Sequence, residues 1–284
     1  MKIFLTGATG FIGSHFLSKA LSSGHEVLAL RRSPTSVTRI PLDIQPQWLD
    51  SQLDEVCLES LRGCDVVVHL AAHTANAPYD SLSNCLHWNL AAVLVLFEKA
   101  RLAGVQKFIV AGSCFEYGRS AERYKAIPTD APLEPTNSYG ASKAAASIAF
   151  CQWANQYQVD LEILRVFHVF GEGESSSRLW PSLRRAALAG DDFPMTAGEQ
   201  IRDFMHVEAV AAVFLDRLHK ADCSKKCASV FNLSSGKTSS IKQFAEYWWQ
   251  AFGATGALQL GVVPYRSQEV MVYVPGPNIL INQK

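Results

Sequence analysis

Tyr139, Lys143 and Ser113 are the side chains of this chain that could together move a proton at a carbonyl/alcohol pair. Tyr139 and Lys143 stand four apart at the start of a predicted helix, which puts both on one face, one turn from each other. An ammonium beside a phenol favours the phenolate, so the pair predicts a Tyr139 pKa lowered toward working pH. Pro132, Pro135, Asn137 and Ser138 fix and cap the helix start. Ser113 follows the apolar run Lys107–Ala111, at the carboxyl end of a predicted strand, where its hydroxyl could bond the same substrate oxygen. Taken singly, these are a helix-surface Tyr and Lys and a turn serine. What joins them is that each lies independently where a ligand edge is expected.

A second group could hold a diphosphate. Lys2–Thr6 is a short apolar run, Gly7-Ala8-Thr9-Gly10-Phe11-Ile12-Gly13 follows at once, and a helical pattern runs from Ser14 to Leu21. Strand, glycine-rich turn and helix is the arrangement that receives a dinucleotide pyrophosphate. Gly7 would permit the tight turn, Gly10 the close approach to phosphate and Gly13 the helix–strand contact. The open amides at the helix start would then face the anion.

The elements that must position these groups alternate. Glu26–Leu30 reads as a second strand and Thr38–Asp43 as a weaker third. A helix around Leu53–Arg62 leads to the buried run Asp65–Leu70. Asn84–Ala103 reads as one long helix stopped by Gly104, Tyr139–Tyr157 as another, and Leu161–Phe167 as a further buried strand. This order predicts an α/β fold: a doubly wound, Rossmann-type parallel sheet covered on both faces. After Phe167 the rhythm changes. Helices are expected at Leu179–Ala189, near His206–His219 and at Ile241–Phe252, with strands at Ser229–Leu233 and Ala257–Val263. Residues 1–168 with 204–236 are expected to form the dinucleotide-binding domain. Residues 169–203 and 237–284 would form a small, discontinuous substrate-binding cap over the sheet's carboxyl edge.

Composition narrows the classes further. The 284 residues are 48% hydrophobic, enough for a full core, and 26 basic residues balance 26 acidic ones. No electrostatic footprint for nucleic acid or an anionic membrane follows. The first predicted strand starts at residue 2, leaving no room for a leader, and no apolar run is of membrane-spanning length. Seven scattered cysteines suit reduced thiols and a cytoplasmic location. Cys223 and Cys227 lack a second ligand pair, and no metal site is expected.

Several ordered motifs carry a resemblance across nearly the whole chain: TGATGFIG (6–13), CDVVVHLAA (64–72), Asn89, GSCFEYG (112–118), YGASK (139–143), LRVFHVFG (164–171) and RDFMHV (202–207). The chain resembles the extended short-chain dehydrogenase/reductases, specifically the nucleotide-sugar epimerases, dehydratases and ketoreductases. The resemblance implies that Ser113, Tyr139 and Lys143 are a catalytic triad and that Lys143 also holds the nicotinamide ribose. It implies cofactor contacts from Gly7, Thr9, Gly10, Phe11, Ile12, Gly13, Leu70, Ala71 and Ala72. Asn89 looks like the helix asparagine supporting the active-site network. Arg202 resembles the residue that meets the substrate diphosphate, its alternative being a surface salt bridge with Asp203. Arg178 and Arg266 are candidates for the diphosphate or base, and Cys114 for substrate contact.

Departures from the family pattern bear on the reaction. The 4,6-dehydratases place Asp-Glu directly after the triad Ser/Thr. Here Cys114 and Phe115 stand there, so dehydration is not expected. Epimerases usually end the second strand on an acidic residue that holds the adenosine ribose of NAD. This chain has Leu30-Arg31-Arg32-Ser33. Arginines accept a 2′-phosphate, which favours NADP(H) over NAD(H), although Arg31 and Arg32 also suit a solvated strand end. His168 replaces a common asparagine and could contact phosphate, donate a proton or pack. Glu116 suits a substrate contact or a structural hydrogen bond. GSCFEYG, GEGE (171–174) and AGEQIRDF (197–204) look like the reductases of nucleotide-linked 4-keto-6-deoxyhexoses. The reading expected from sequence is therefore NADPH-dependent reduction of a C4 ketone in deoxysugar synthesis. An NAD-dependent nucleotide-sugar epimerase is the alternative, and a non-catalytic NAD(P)-sensing regulator a second. The family also implies a homodimer packed through helices 84–103 and 139–157.

Overall fold

Buried apolar runs separated by helical stretches close into an eight-stranded sheet. A computed structural model describes residues 1–219, 227–266, 269–276 and 279–280. The first half contributes β1 (Lys2–Thr6), α1 (Phe11–Ser22), β2 (Glu26–Arg31), β3 (Gln47–Asp50), α2 (Leu58–Leu61) and β4 (Val66–His69). There follow α3 (Leu82–Leu86), a π-helical turn (His87–Ala91), α4 (Ala92–Leu102), β5 (Lys107–Ser113), α5 (Ser138–Tyr157) and β6 (Asp160–Val166). The second half adds β7 (His168–Phe170), α6 (Leu179–Ala189), β8 (Phe193–Met195), β9 (Ile201–His206), α7 (Val207–Asp216) and β10 (Ala228–Ser234). It ends in β11 (Thr238–Ser240), α8 (Ile241–Ala251), β12 (Leu258–Leu260), β13 (Val272–Tyr273) and β14 (Ile279–Leu280).

The large sheet runs β14-β10-β6-β5-β4-β1-β2-β3, and its neighbours pair in parallel. This is the doubly wound Rossmann-type fold expected from the sequence. Strand order reverses between β1 and β4, which opens a crevice at the carboxyl ends. Alternate strand residues serve opposite layers, as the two-residue period of a strand requires. Ile3, Leu5, Val66 and Val68 join Phe16, Leu17, Val210 and Phe214 of α1 and α7 on one face. Phe4, Val67 and Phe108 join Leu96, Phe97, Phe150 and Trp153 of α4 and α5 on the other. Above the carboxyl edge, α6 and α8 pack through Leu183, Ala187, Ala245 and Trp249. Strand β9 there is paired with β7, β11 and β13.

Four expectations change. The third strand is Gln47–Asp50, not Thr38–Asp43; Trp48 and Leu49 pair with Ala29 and Leu30 of β2, whereas 38–43 runs as loop and bend through Pro41. The helix expected around Leu53–Arg62 is only Leu58–Leu61. The helix expected over Asn84–Ala103 is α3, the π turn and α4 in succession, with Asn89 in the π turn. Finally, the tail is not all cap. β14 pairs with β10 at the edge of the large sheet, and β9, in the small sheet, straddles the boundary expected between 203 and 204. Cys223 lies outside the described residues, and among those described no helix is long and apolar enough to cross a membrane.

One buried histidine gives the fold an acid sensitivity. His69 ends β4, is 1% exposed, and its Nδ1 lies 2.7 Å from Thr6 Oγ1. Burial, with the Lys143 charge second, holds its imidazole down to about 3 from an ordinary 6.5. The folded chain therefore keeps His69 neutral where the unfolded chain binds a proton. Stability is expected to fall as pH drops below 6.5 toward 3, by up to about 1.4 kcal/mol per pH unit from this group. Urea midpoints measured across that window should show the slope, and His69→Gln should reduce it by one proton's worth.

Candidate active site

The carboxyl ends of β1, β4, β5 and β6 bring the predicted groups together. Gly7 turns with φ +75°, and a Cβ there would sit 2.5 Å from Ala71 N, so β4's end packs directly on the turn. A Cβ at Gly13 would collide with the Gly7 carbonyl, which fixes how closely α1 approaches β1. Gly10 is the N-cap of α1 in extended backbone and offers no side-chain acceptor to the first-turn amides. Those amides, at the positive end of a helix, suit a diphosphate. The turn thus fits the dinucleotide expected for it, with Thr9, Phe11 and Ile12 on the turn and Leu70, Ala71 and Ala72 following β4. Ala71 N donates to Thr6 Oγ1 at 3.3 Å.

Ser113 ends β5 and caps a short 3₁₀ turn, accepting from Phe115 N at 3.2 Å. Asn137 accepts from Gly140 N at 2.8 Å and so starts α5, whose first turn carries Tyr139 and whose second carries Lys143. Tyr139 is 7% exposed, stacked on Tyr79 (6.2 Å, 7°) and edge-on to Phe115 (6.1 Å). Its hydroxyl feels that of Ser113, which favours the phenolate. Burial pushes the phenol well above its ordinary pKa, outweighing that influence. The expected lowering by Lys143 is therefore corrected: the buried ammonium donates to Ala111 O at 2.7 Å, and its own pKa is lowered by burial. Asn89 ties the floor together. Its Oδ1 accepts from His73 N (2.7 Å), and its Nδ2 donates to Ser142 Oγ (2.9 Å), which donates to Tyr139 O (2.8 Å). A π turn places that amide inward, a form helices adopt at functional sites.

The charges of Arg178 and Arg266 both act on Tyr79, and those of Arg178 and Arg202 on the neutral His168. Burial, then those two guanidiniums, hold His168 well below its ordinary pKa, and its Nδ1 has no partner among the described residues. Cys114 is buried; desolvation pushes its thiol up to about 12, so it is no acid or base near neutrality. Phe115 offers only its ring.

Three expectations need correction. Arg202 is 5% exposed, and its salt bridge is to Glu269 (2.9 Å), not Asp203. Its other bonds go to the carbonyls of Ile201, Met271 and Val270, so its Nη groups are already taken. Asp203 instead accepts from Ser234 and Ser235. Glu116 is fully buried and bonded to Ser113 N, Ser147 and Arg165, so it is structural rather than a substrate contact. Arg31 donates Nε–H to Asp50 Oδ1 at 2.6 Å and lies over Trp48, so a carboxylate stands where arginines alone were expected; Arg32 is exposed.

The model of the family described as "NAD dependent epimerase/dehydratase family" matches residues 3–248. The chain belongs to this family. It is 27% identical over 264 residues to a UDP-glucose 4-epimerase of Corynebacterium glutamicum, covering 87% of this chain and 79% of that one. It is 26% identical over 278 residues to a CDP-abequose synthase of Salmonella muenchen, covering 95% and 87%. The crystal structure of the Bordetella bronchiseptica enzyme WbmG in complex with NAD and UDP superposes with a TM-score of 0.78 at 26% identity, over 97% of this chain and 86% of that one.

Within this member of the family, sequence reasoning missed Tyr79 and Tyr273. Tyr273 donates to Cys114 O at 2.6 Å and accepts from Gly118 N at 3.0 Å, which braces the Ser113 turn from the tail. Its separation from the turn in sequence leaves no local signal. Tyr79 follows CDVVVHLAA within a loop that carries no periodicity.

Proposed function

We propose that the chain is an NAD-dependent nucleotide-sugar epimerase acting at a ring hydroxyl, with Ser113, Tyr139 and Lys143 at the reacting carbon. The observation that moves the reading from reductase to epimerase is Asp50 on Arg31. A carboxylate there neutralises one arginine and would repel a 2′-phosphate, which favours NAD over NADP. The epimerase among the relatives agrees with this. Dehydration has no acid/base pair, since Cys114 and Phe115 occupy those positions.

In this reading the Gly7–Gly13 turn, with Thr9, Phe11, Ile12, Leu70, Ala71 and Ala72, seats the cofactor, and Lys143 takes its ribose hydroxyls. Bound NAD supplies reversible hydride acceptance. Tyr139 takes the proton of the substrate hydroxyl and returns it, and Ser113 holds the same oxygen through its Oγ. Arg178 and Arg266, with the Nε–H of Arg202 and the neutral His168, line the diphosphate and base. Burial of Tyr139 excludes water from the proton transfer. Two copies would pair through α4 and α5, which expose Val95, Leu102, Ile148 and Tyr157.

A second reading, the NADPH-dependent 4-ketoreductase, is favoured by exposed Arg32 and the lack of an acidic residue ending β2. One experiment separates the two: paired fluorescence titrations with NADH and NADPH, followed by incubation with UDP-glucose and NAD. The epimerase predicts NADH binding about tenfold tighter or better and UDP-galactose formed without net cofactor consumption. Preference for NADPH, with stoichiometric NADPH oxidation by a 4-keto-6-deoxy sugar nucleotide, would replace it with the reductase.

A further inference from the structure

Tyr79 carries a hydroxyl that the fold does not use. Its ring is half-buried and lies parallel to that of Tyr139, with centroids 6.2 Å apart and 7° between the planes. The backbone on either side is pinned to the catalytic floor. His73, where the loop begins, donates its N–H to Asn89 Oδ1 (2.7 Å), and its carbonyl accepts from Asn89 Nδ2 (3.3 Å). The carbonyl of Asp80, directly after Tyr79, accepts from Ser138 Oγ (2.7 Å), one residue before Tyr139. The Asp80 carboxylate closes the loop on itself, meeting His73 Nε2 at 2.8 Å and Asn84 Nδ2 at 3.2 Å. The ring's place therefore does not depend on its own hydroxyl, which has no hydrogen-bond partner among the described residues. The charges of Arg178 and Arg266, assigned above to the diphosphate and base, both act on this phenol. Burial is the larger influence and pushes it above its ordinary pKa, so the hydroxyl keeps its proton and can donate.

We propose that Tyr79 is the residue that reads the sugar: its hydroxyl bonds a ring hydroxyl of the hexose, and its ring walls the path from Tyr139 to the diphosphate. This deepens the nucleotide-sugar reading above and rests on it. In a nucleotide sugar the hexose joins two ends. Its reacting carbon must meet Tyr139, and its anomeric oxygen leads to the phosphates. A side chain parallel to the first group, and in the field of the charges that would hold the second, lies along the hexose. A phenol suits that place, with an apolar face for the C–H side of a sugar ring and an edge that donates to or accepts from a hydroxyl. Packing on Tyr139 needs only the ring, for which phenylalanine would serve. The half-buried hydroxyl loses water without return until a ligand meets it.

Calorimetric titration of the wild type and of Tyr79→Phe with UDP-glucose, UDP and NADH tests this. The variant keeps the ring and its stack on Tyr139. Its Kd for UDP-glucose is expected to rise about fivefold or more, while those for UDP and NADH stay within about twofold of the wild type. In turnover the loss should appear in KM with kcat unchanged, as for a contact made equally in the ground and transition states. Equal weakening of UDP and UDP-glucose would assign the hydroxyl to the diphosphate and overturn the proposal. So would an unchanged affinity for UDP-glucose, which would leave Tyr79 as packing for Tyr139 and the nucleotide-sugar reading intact. A wild type that binds NADH but neither UDP-glucose nor UDP would overturn both readings, and so the two failures are told apart.

Discussion

Tyr139→Phe is expected to lower turnover about 10²- to 10⁴-fold, the range over which a positioned proton carrier acts, with little change in cofactor affinity or unfolding midpoint. The ring is held by packing, between Tyr79 at 6.2 Å and Phe115 at 6.1 Å, and phenylalanine keeps both contacts. The hydroxyl alone disappears, and with it its interaction with Ser113. The loss should fall on kcat, because the proton moves in the transition state and contributes little to ground-state binding. Burial raises the phenol's pKa, so in the direction that begins by removing a substrate proton the wild-type rate should rise with pH. The variant's residual rate should lose that rise. Steady-state kinetics at several pH values, with a parallel NADH titration, measures all of this. A variant that retains a tenth or more of wild-type kcat would remove Tyr139 from the chemistry and reopen the non-catalytic reading.

What the sequence made legible and what it hid divide by distance along the chain. The glycine turn, the Tyr139–Lys143 spacing and the Asn137 cap are local, set by a few neighbouring residues, and the structure places them as read. The parallel sheet was legible because strands buried on both faces need apolar residues at every position, as in Val66–Val68. Arginines were a different matter. Sequence shows that Arg31 and Arg202 exist but not what they meet: Asp50 and Glu269 come to them through tertiary contacts. A guanidinium's role depends on whether its protons are already taken, and for Arg202 most are. Phenol acidity was misread for a related reason. An i,i+4 lysine puts a cation on the right helix face, yet the Lys143 ammonium turns to Ala111 O and desolvation dominates. The weak third strand went to the wrong apolar cluster because Leu42 and Trp48 both pack on the same core, and only register with β2 selects the latter.

Glu116 carries the largest stability prediction, although it stands three residues from a catalytic candidate. Its side chain is fully buried, and each carboxylate oxygen is engaged: Oε1 by Ser113 N (2.8 Å), Oε2 by Arg165 Nε (2.8 Å) and Ser147 Oγ (2.8 Å). Arg165 is itself 4% exposed and continues the network to Tyr117 OH (2.7 Å) and Thr129 O (2.8 Å). Tyr117 then donates to Asn232 Oδ1 at 2.7 Å, which links β5, β6 and β10 beneath the site. Glu116→Ala would leave a guanidinium buried without its counter-charge, at a cost of about 3–5 kcal/mol. Glu116→Gln should cost less, because an amide oxygen can still accept from Ser113 N while the charge is lost. The double variant E116A/R165A should be less damaging than the sum of the single changes, since neither leaves the other's charge stranded. Urea unfolding of the four proteins supplies the cycle. If Glu116→Ala cost under about 1 kcal/mol, the pair would be acting as though solvated and the buried network would not be holding the Ser113 turn. If the cost is large, activity lost in Glu116→Gln at full folding would report how far Ser113 depends on that one acceptor for its position.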